Sequence, residues 1–223
     1  MPSHGGLWGI RRRGHGRVAH HTCGPGSRYA PVLPRNQSST TMKRRTARSL
    51  ILLALVAAAG SSATAALMPG DKAPDFAIEA TLGPSVFRFS LAETLQAGPV
   101  VLYFFPAAFT KGCTAEAHDF SEATEAFRQL GATVIGVSHD GIDKLKEFAV
   151  SECRSKFAVG ADTDQHVMKA YDAVLKLRPE LADRISYLIA PDGTVVYEYS
   201  SLNPDKHVAN LMEALKAWRA RNP

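Results

Sequence analysis

Apolar and polar residues alternate from Phe76 to Thr81 and again from Val86 to Ser90, on either side of Leu82-Gly83-Pro84-Ser85. That pattern predicts a β-hairpin. Val100 to Phe105 is unbroken apolar sequence, as expected of an interior strand covered on both faces, and Ala132 to Ser138 reads the same way. Between them, Phe120, Ala123, Phe127 and Leu130 recur at three- and four-residue intervals, which predicts a helix that Gly131 ends. Further helices are expected from about Asp140 to Glu152 and from Asp164 to Val174. Ser186–Ala190 and Thr194–Tyr199 flank the turn Pro191-Asp192-Gly193, a second hairpin. A last helix, from about Asp205 to Arg219, carries its apolar stripe on Val208, Leu211, Leu215 and Trp218. The order βββαβα(α)ββα predicts an α/β fold, a mixed central sheet flanked by helices.

Charge divides the chain where the pattern does. All 21 acidic residues lie from Asp71 onward, whereas ten of the 26 Lys and Arg precede Leu67. The pI of 9.2 therefore reflects a basic leader on a mildly acidic domain, which argues against a nucleic-acid partner. Lys-Arg-Arg-Thr-Ala-Arg at 43–48 precedes an apolar run from Leu50 to Ala59 and then Gly60 to Ala66, the three-part pattern of a secretory signal peptide. The run is shorter than the roughly 20 residues a membrane span needs, so no stable membrane anchor is expected. Residues 42–66 are read as a signal peptide cleaved after Ala65 or Ala66, directing the protein to the periplasm. Residues 1–41, rich in Gly, Arg, His, Pro and Ser and lacking acids, read as a disordered upstream extension from a misplaced start. Residues 67–223 are long enough for one domain with its own core, without linker or repeat.

Of three cysteines, Cys23 lies in the extension, and Cys113 and Cys153 remain. In an oxidising compartment two cysteines commonly form a static disulfide, and their 40-residue separation matches no zinc spacing. Cys113 has a more specific setting. Phe105-Pro-Ala-Ala-Phe-Thr-Lys-Gly-Cys-Thr-Ala-Glu116 joins a buried strand to a helix and puts Cys113 at or near the first turn. Unpaired N–H groups and the helix dipole favour an anion there. A free cysteine of pKa near 8.5 is about 3% thiolate at pH 7, and lowering it to about 6 makes it roughly 90%. Thr110, three residues before the sulfur, can turn its hydroxyl to the same anion site or serve as the helix N-cap.

Pro106-x-x-x-Thr110-x-x-Cys113 resembles the peroxiredoxin motif, and Gly70-Asp-Lys-Ala-Pro-Asp-Phe76 is similar to that family's opening segment. The likeness covers nearly all of residues 67–223 and is nearest the bacterioferritin-comigratory, or Q-type, subfamily. It implies a thioredoxin-like fold and a thiol peroxidase that reduces hydrogen peroxide or organic hydroperoxides. It also implies Cys113 as nucleophile, Thr110 as the peroxide-binding hydroxyl, Pro106 as a shield around the sulfur, and Arg184 as the guanidinium that holds the thiolate and orients the peroxide. Pro106, Thr110 and Arg184 are thus the expected substrate contacts. Glu116 could orient Arg184 or be an exposed helix carboxylate. His118 and His139 read as ordinary polar positions, and Lys111 and Tyr187 have no assigned role. No metal or cofactor is expected.

The chain departs from the subfamily where many members carry a resolving cysteine five residues after the nucleophile, because His118 stands there. Cys153 is then the candidate resolving thiol, closing a disulfide after local unwinding; the alternatives are a one-cysteine cycle and a Cys153 that is only a small buried hydrophobe at a helix end. The expected partners are the peroxide and a thioredoxin-like or glutaredoxin-like thiol reductant, on a monomer or weak dimer. Two rivals stand beside this reading: a thioredoxin-like thiol-disulfide oxidoreductase, although Cys113 lacks a Cys-x-x-Cys partner, and a non-catalytic secreted domain stabilised by a Cys113–Cys153 disulfide. The rings of Phe105, Phe109 and Phe120 could admit an alkyl chain or pack the core. Export is checked by N-terminal sequencing of the mature protein, which is expected to begin at Ala66 or Leu67.

Overall fold

The computed structural model describes residues 66–223. The expected extension, and the expected signal peptide up to position 65, lie outside the described residues. Ala77–Leu82 (β1) and Ser85–Ser90 (β2) form the first hairpin, closed by Gly83 at φ 54. Ser90 then caps Leu91–Leu95 (α1), its hydroxyl accepting the Glu93 N–H at 3.2 Å. Ser-x-x-Glu is a helix-start signal that hydrophobic patterning alone passes over. The remaining elements are Val100–Phe104 (β3), Lys111–Gln129 (α2), Thr133–Ser138 (β4), Ile142–Ser151 (α3), Ala158–Ala161 (β5), His166–Ala170 (α4), Ile185–Ile189 (β6) and Val195–Ser200 (β7). A 3-10 turn, Pro204–Lys206, leads into His207–Arg221 (α5).

The seven strands form one sheet in the order β2-β1-β5-β4-β3-β6-β7. β3, β4 and β5 run parallel, and β1, β2, β6 and β7 are joined to their neighbours antiparallel. This is the expected mixed sheet, with the apolar run β3 in its interior. Besides α1, two details differ from the sequence reading. β5 was not expected, because Ala-Val-Gly-Ala has weak strand propensity and is made a strand by pairing with β1 and β4. The helix expected over 164–174 shrinks to α4, because Asp172 takes a left-handed φ of 49 and the chain turns into the bridge between Val174 and Ala182.

Side chains of β3 alternate between two cores. Val100, Leu102 and Phe104 enter one with residues of α1 and α4. Val101 and Tyr103 enter the other with Phe120 and Phe127 of α2, Leu145 and Phe148 of α3 and Leu211 and Leu215 of α5. Cys113 and Cys153 both belong to this second core. Tyr103 lies stacked on Phe120 at 4.2 Å between ring centroids, and the absent side chain of Gly136 on β4 gives it room. Its hydroxyl is buried without a hydrogen-bond partner.

Two substitutions test this layer. Tyr103→Phe removes an unsatisfied buried hydroxyl and is expected to stabilise the fold by about 1 kcal/mol. Gly136→Ala places a Cβ 2.6 Å from the tyrosine ring and is expected to cost about 1–3 kcal/mol. Urea midpoints at constant m-value check both.

Candidate active site

β3 ends at Phe104, and the segment from Phe105 to Thr110 carries the chain across the sheet edge into α2. The Asp140 carboxylate, beyond β4, pins this loop by accepting the Ala108 N–H at 2.7 Å and the Ser138 hydroxyl at 2.8 Å, while Lys144 bonds its other oxygen. Burial opposes that charge, but these three donors hold the carboxyl below its usual range. Phe109, at a left-handed φ of 66, turns the chain and leaves its ring 45% exposed against Phe148. Thr110 occupies the N-cap position of α2, yet its hydroxyl is exposed and bonds the Ala107 carbonyl at 3.1 Å instead of capping the helix. Cys113 is then the third residue of α2, where helical N–H groups lack intrahelical acceptors, and it is 1% exposed.

Strand register brings Arg184 to this sulfur across 71 positions of sequence. Phe104 pairs with Ile185 in the antiparallel β3–β6 ladder, so Arg184 emerges beside the loop that leaves β3. Since Ile185 faces the first core, its neighbour Arg184 faces the second, with Cys113. Arg184 Nη2 lies 3.4 Å from Cys113 Sγ, Nε donates to the Leu202 carbonyl at 3.0 Å, and Nη1 donates to Glu116 Oε2. Gly112 permits the approach, since a Cβ there would stand 3.1 Å from Nη2.

One guanidinium therefore faces two acids. Burial pushes the Glu116 carboxyl up to about 8, despite the opposing pull of Arg184. Burial works against the Arg184 charge, but Glu116 and Cys113 outweigh it and hold the guanidinium protonated. Of the two readings left open for Glu116, orienting Arg184 is the one the structure bears out. Its second oxygen, Oε1, is buried without a hydrogen-bond partner, and His207 Nδ1 lies 3.8 Å away. Sequence reasoning missed His207 and Ser186, whose only signal was polar residues on otherwise apolar faces.

Cys113 and Cys153 both carry free thiols, so no static disulfide joins them in this structure. Cys153 stands just past α3, fully buried, and burial pushes its thiol well up. The Cys153 N–H bonds the Phe148 carbonyl at 3.1 Å, and the next residues, Arg154 and Ser155, are left-handed at φ 51 and 55. Non-glycine residues held there cost about 1–2 kcal/mol each. Phe105 and Phe120 are core residues, which leaves Phe109 as the exposed ring. His118 pairs with Glu152 at 3.0 Å, the His139 Nδ1 is buried without a partner, and Lys111 is exposed. Pro106 is half-buried, and the Tyr187 hydroxyl bonds the Tyr171 carbonyl in the opposite core. Asp162, Asp164 and His166 bring ligand atoms within 4.8 Å of one another, but the buried Asp162 carboxylate already accepts the Val167 and Met168 N–H groups.

A thioredoxin-like α/β domain with a buried cysteine in the first turn of a helix, faced by an arginine, defines a thiol-based redox protein. The chain belongs to the AhpC/TSA family, whose pattern matches residues 69–198. It is 33% identical to peroxiredoxin Q, chloroplastic, of Oryza sativa subsp. japonica over 149 residues, 66% of each chain. It is 32% identical to peroxiredoxin Bcp of Bacillus subtilis over 153 residues, 66% of this chain and 94% of that one. The crystal structure of peroxidoxin BcpB from Mycobacterium tuberculosis superposes with a TM-score of 0.60 at 30% identity, covering 67% of this chain and 96% of that one.

The raised Glu116 carboxyl makes stability depend on pH. Between the unfolded value near 4.5 and the folded value near 8, the native Glu116 carboxyl holds a proton that the unfolded one has lost. Stability supplied by that proton is therefore complete below 4.5 and is lost as pH rises to about 8, with a slope up to about 1.4 kcal/mol per pH unit. Glu116→Gln is expected to remove this contribution and make the slope of stability against pH less negative, as measured by urea unfolding between pH 5 and 8.

Proposed function

We propose that this protein is a thiol-dependent peroxidase with Cys113 as its nucleophile, Arg184 as the charge that holds and orients the reactants, and Thr110 and Pro106 lining the peroxide site. The observation that carries this reading is the Cys113 sulfur, buried in the first turn of α2 with the Arg184 guanidinium 3.4 Å away. Positive charge on two sides is what a nucleophilic sulfur anion needs. The thiolate attacks the nearer oxygen of hydrogen peroxide or an organic hydroperoxide. An S–O bond forms, the O–O bond breaks, and the departing oxygen takes a proton and leaves as water or an alcohol. Negative charge developing on that oxygen meets the same guanidinium and the first-turn N–H groups.

Cys153 then attacks the sulfenic acid. An S–S bond forms, the S–O bond breaks, and the thiol proton leaves with the hydroxide as water. Both sulfurs share one core, and left-handed residues border the segments that must move, at Phe109 on one side and at Arg154 and Ser155 on the other. A thioredoxin-like or glutaredoxin-like dithiol returns the disulfide to two thiols. The signal-peptide pattern supports a periplasmic site of action.

Mature protein beginning at Leu67 is treated with hydrogen peroxide and followed by peptide mass. Cys113 is expected to oxidise and link to Cys153; Cys113→Ser abolishes peroxide consumption, and Cys153→Ser halts at the sulfenic acid. Arg184→Gln is expected to slow Cys113 oxidation by about 10- to 100-fold, the worth of one charged hydrogen bond. A Cys113 inert to peroxide would sink the proposal.

A further inference from the structure

Behind Arg184 lies a buried polar cluster that the peroxidase chemistry does not use. His207, the first residue of α5, is fully buried. Its Nε2 lies 2.9 Å from the Ser201 carbonyl, which can only accept, so Nε2 carries a hydrogen. Its Nδ1 lies 2.7 Å from the Ser186 hydroxyl, which can donate or accept, and 3.8 Å from Glu116 Oε1. Glu116 Oε2 is occupied by Arg184, while Oε1 has no hydrogen-bond partner. A bare buried carboxylate oxygen is costly, and the nearby ring nitrogen is the basic group it faces.

We propose that Glu116 and His207 hold one proton between them, so that the pair is uncharged and the full charge of Arg184 is left to the Cys113 sulfur. Ser186 serves either arrangement. With the proton on Glu116, its hydroxyl donates to Nδ1; with the proton on His207, it accepts from Nδ1. Burial favours the uncharged forms of both partners, raising the carboxyl and lowering the imidazole, whose charge Arg184 also opposes. The other polar and titratable groups around the pair are Cys113 and Asp119 on α2, Tyr103 on β3 and Tyr199 on β7, whose ring meets His207 edge-on at 4.8 Å. Arg184 is the cation among them. Loss of the shared proton leaves two buried acids facing one cation, so Arg184 is divided between Glu116 and Cys113 above that point.

This inference rests on Cys113 as the reacting thiol, and its test separates the two. Protein carrying 13C-labelled glutamate carboxyls and 15N-labelled imidazoles is titrated from pH 5 to 10 by NMR, and Cys113 alkylation by iodoacetamide is followed by peptide mass over the same range. The pair is expected to keep its one proton at neutral pH and to lose it near the Glu116 value of about 8, with the carboxyl and imidazole signals reporting the same step and the pH dependence of alkylation changing slope there. His207→Gln, whose amide can still reach the Ser201 carbonyl, is expected to move both readouts down by about one pH unit, the worth of one hydrogen bond. A Glu116 carboxyl already ionised at pH 6.5 beside a neutral His207 in the wild type, or a midpoint unmoved by His207→Gln, overturns the proposal; the wild-type titration decides even if the variant fails to fold. Failure of peroxide to oxidise Cys113 while the shared midpoint persists would refute the peroxidase reading and leave the pair standing.

Discussion

A buried guanidinium organises this molecule. Taking the Arg184 charge out of water is expensive unless every donor finds an acceptor and an anion stands near. The fold meets that demand from three directions: the Leu202 carbonyl on Nε, the Glu116 carboxyl on Nη1 and the Cys113 sulfur on Nη2. These partners come from the segment after β7 and from two turns of α2, so one side chain ties the last third of the domain to its reactive helix. A lysine offers a single point of charge and could not span the three. Because the acids outnumber the cation, the protonation of Glu116 decides how the charge is divided.

The surroundings of the two cysteines differ in kind. Cys113 sits in a prepared electrostatic site beneath an exposed rim, whereas Cys153 is packed like a small hydrophobe at the end of α3. Phe148 connects them. Its ring meets Phe105 and Phe109 of the reactive loop, and its carbonyl accepts the N–H groups of Glu152 and Cys153. Phe148 thus links the loop physically to the turn that holds the second thiol. In the proposed disulfide step, strain released at the left-handed residues of both corners would offset part of the lost packing.

Much of the architecture was legible in the chain itself. The unbroken apolar run of β3 and the mostly apolar β4 announced a sheet covered on both faces, the two hairpins carried their turn residues, and Cys113 was placed at a helix start by the strand-loop-helix pattern alone. β5 was not legible, since Ala158–Ala161 is short and weak in propensity and is a strand because β1 and β4 flank it. The end of α4 was hidden for a related reason: Asp172 adopts a left-handed turn that packing imposes. Among the described residues, no helix is long and apolar enough to cross a membrane.

For the site, the sequence by itself determined which residue could be the nucleophile and which cations and hydroxyls were available, because helix position and residue chemistry are local properties. Tertiary structure alone decided which of them meet. The register of Phe104 against Ile185 delivers Arg184 to the sulfur, and α5 brings His207 over Ser186 and Glu116. It also decided that the Thr110 hydroxyl turns to Ala107 and that Glu116 is buried rather than exposed. The physical reason is that burial and strand pairing join residues distant in sequence, and the desolvation that governs Glu116 and His207 exists only once those elements have packed.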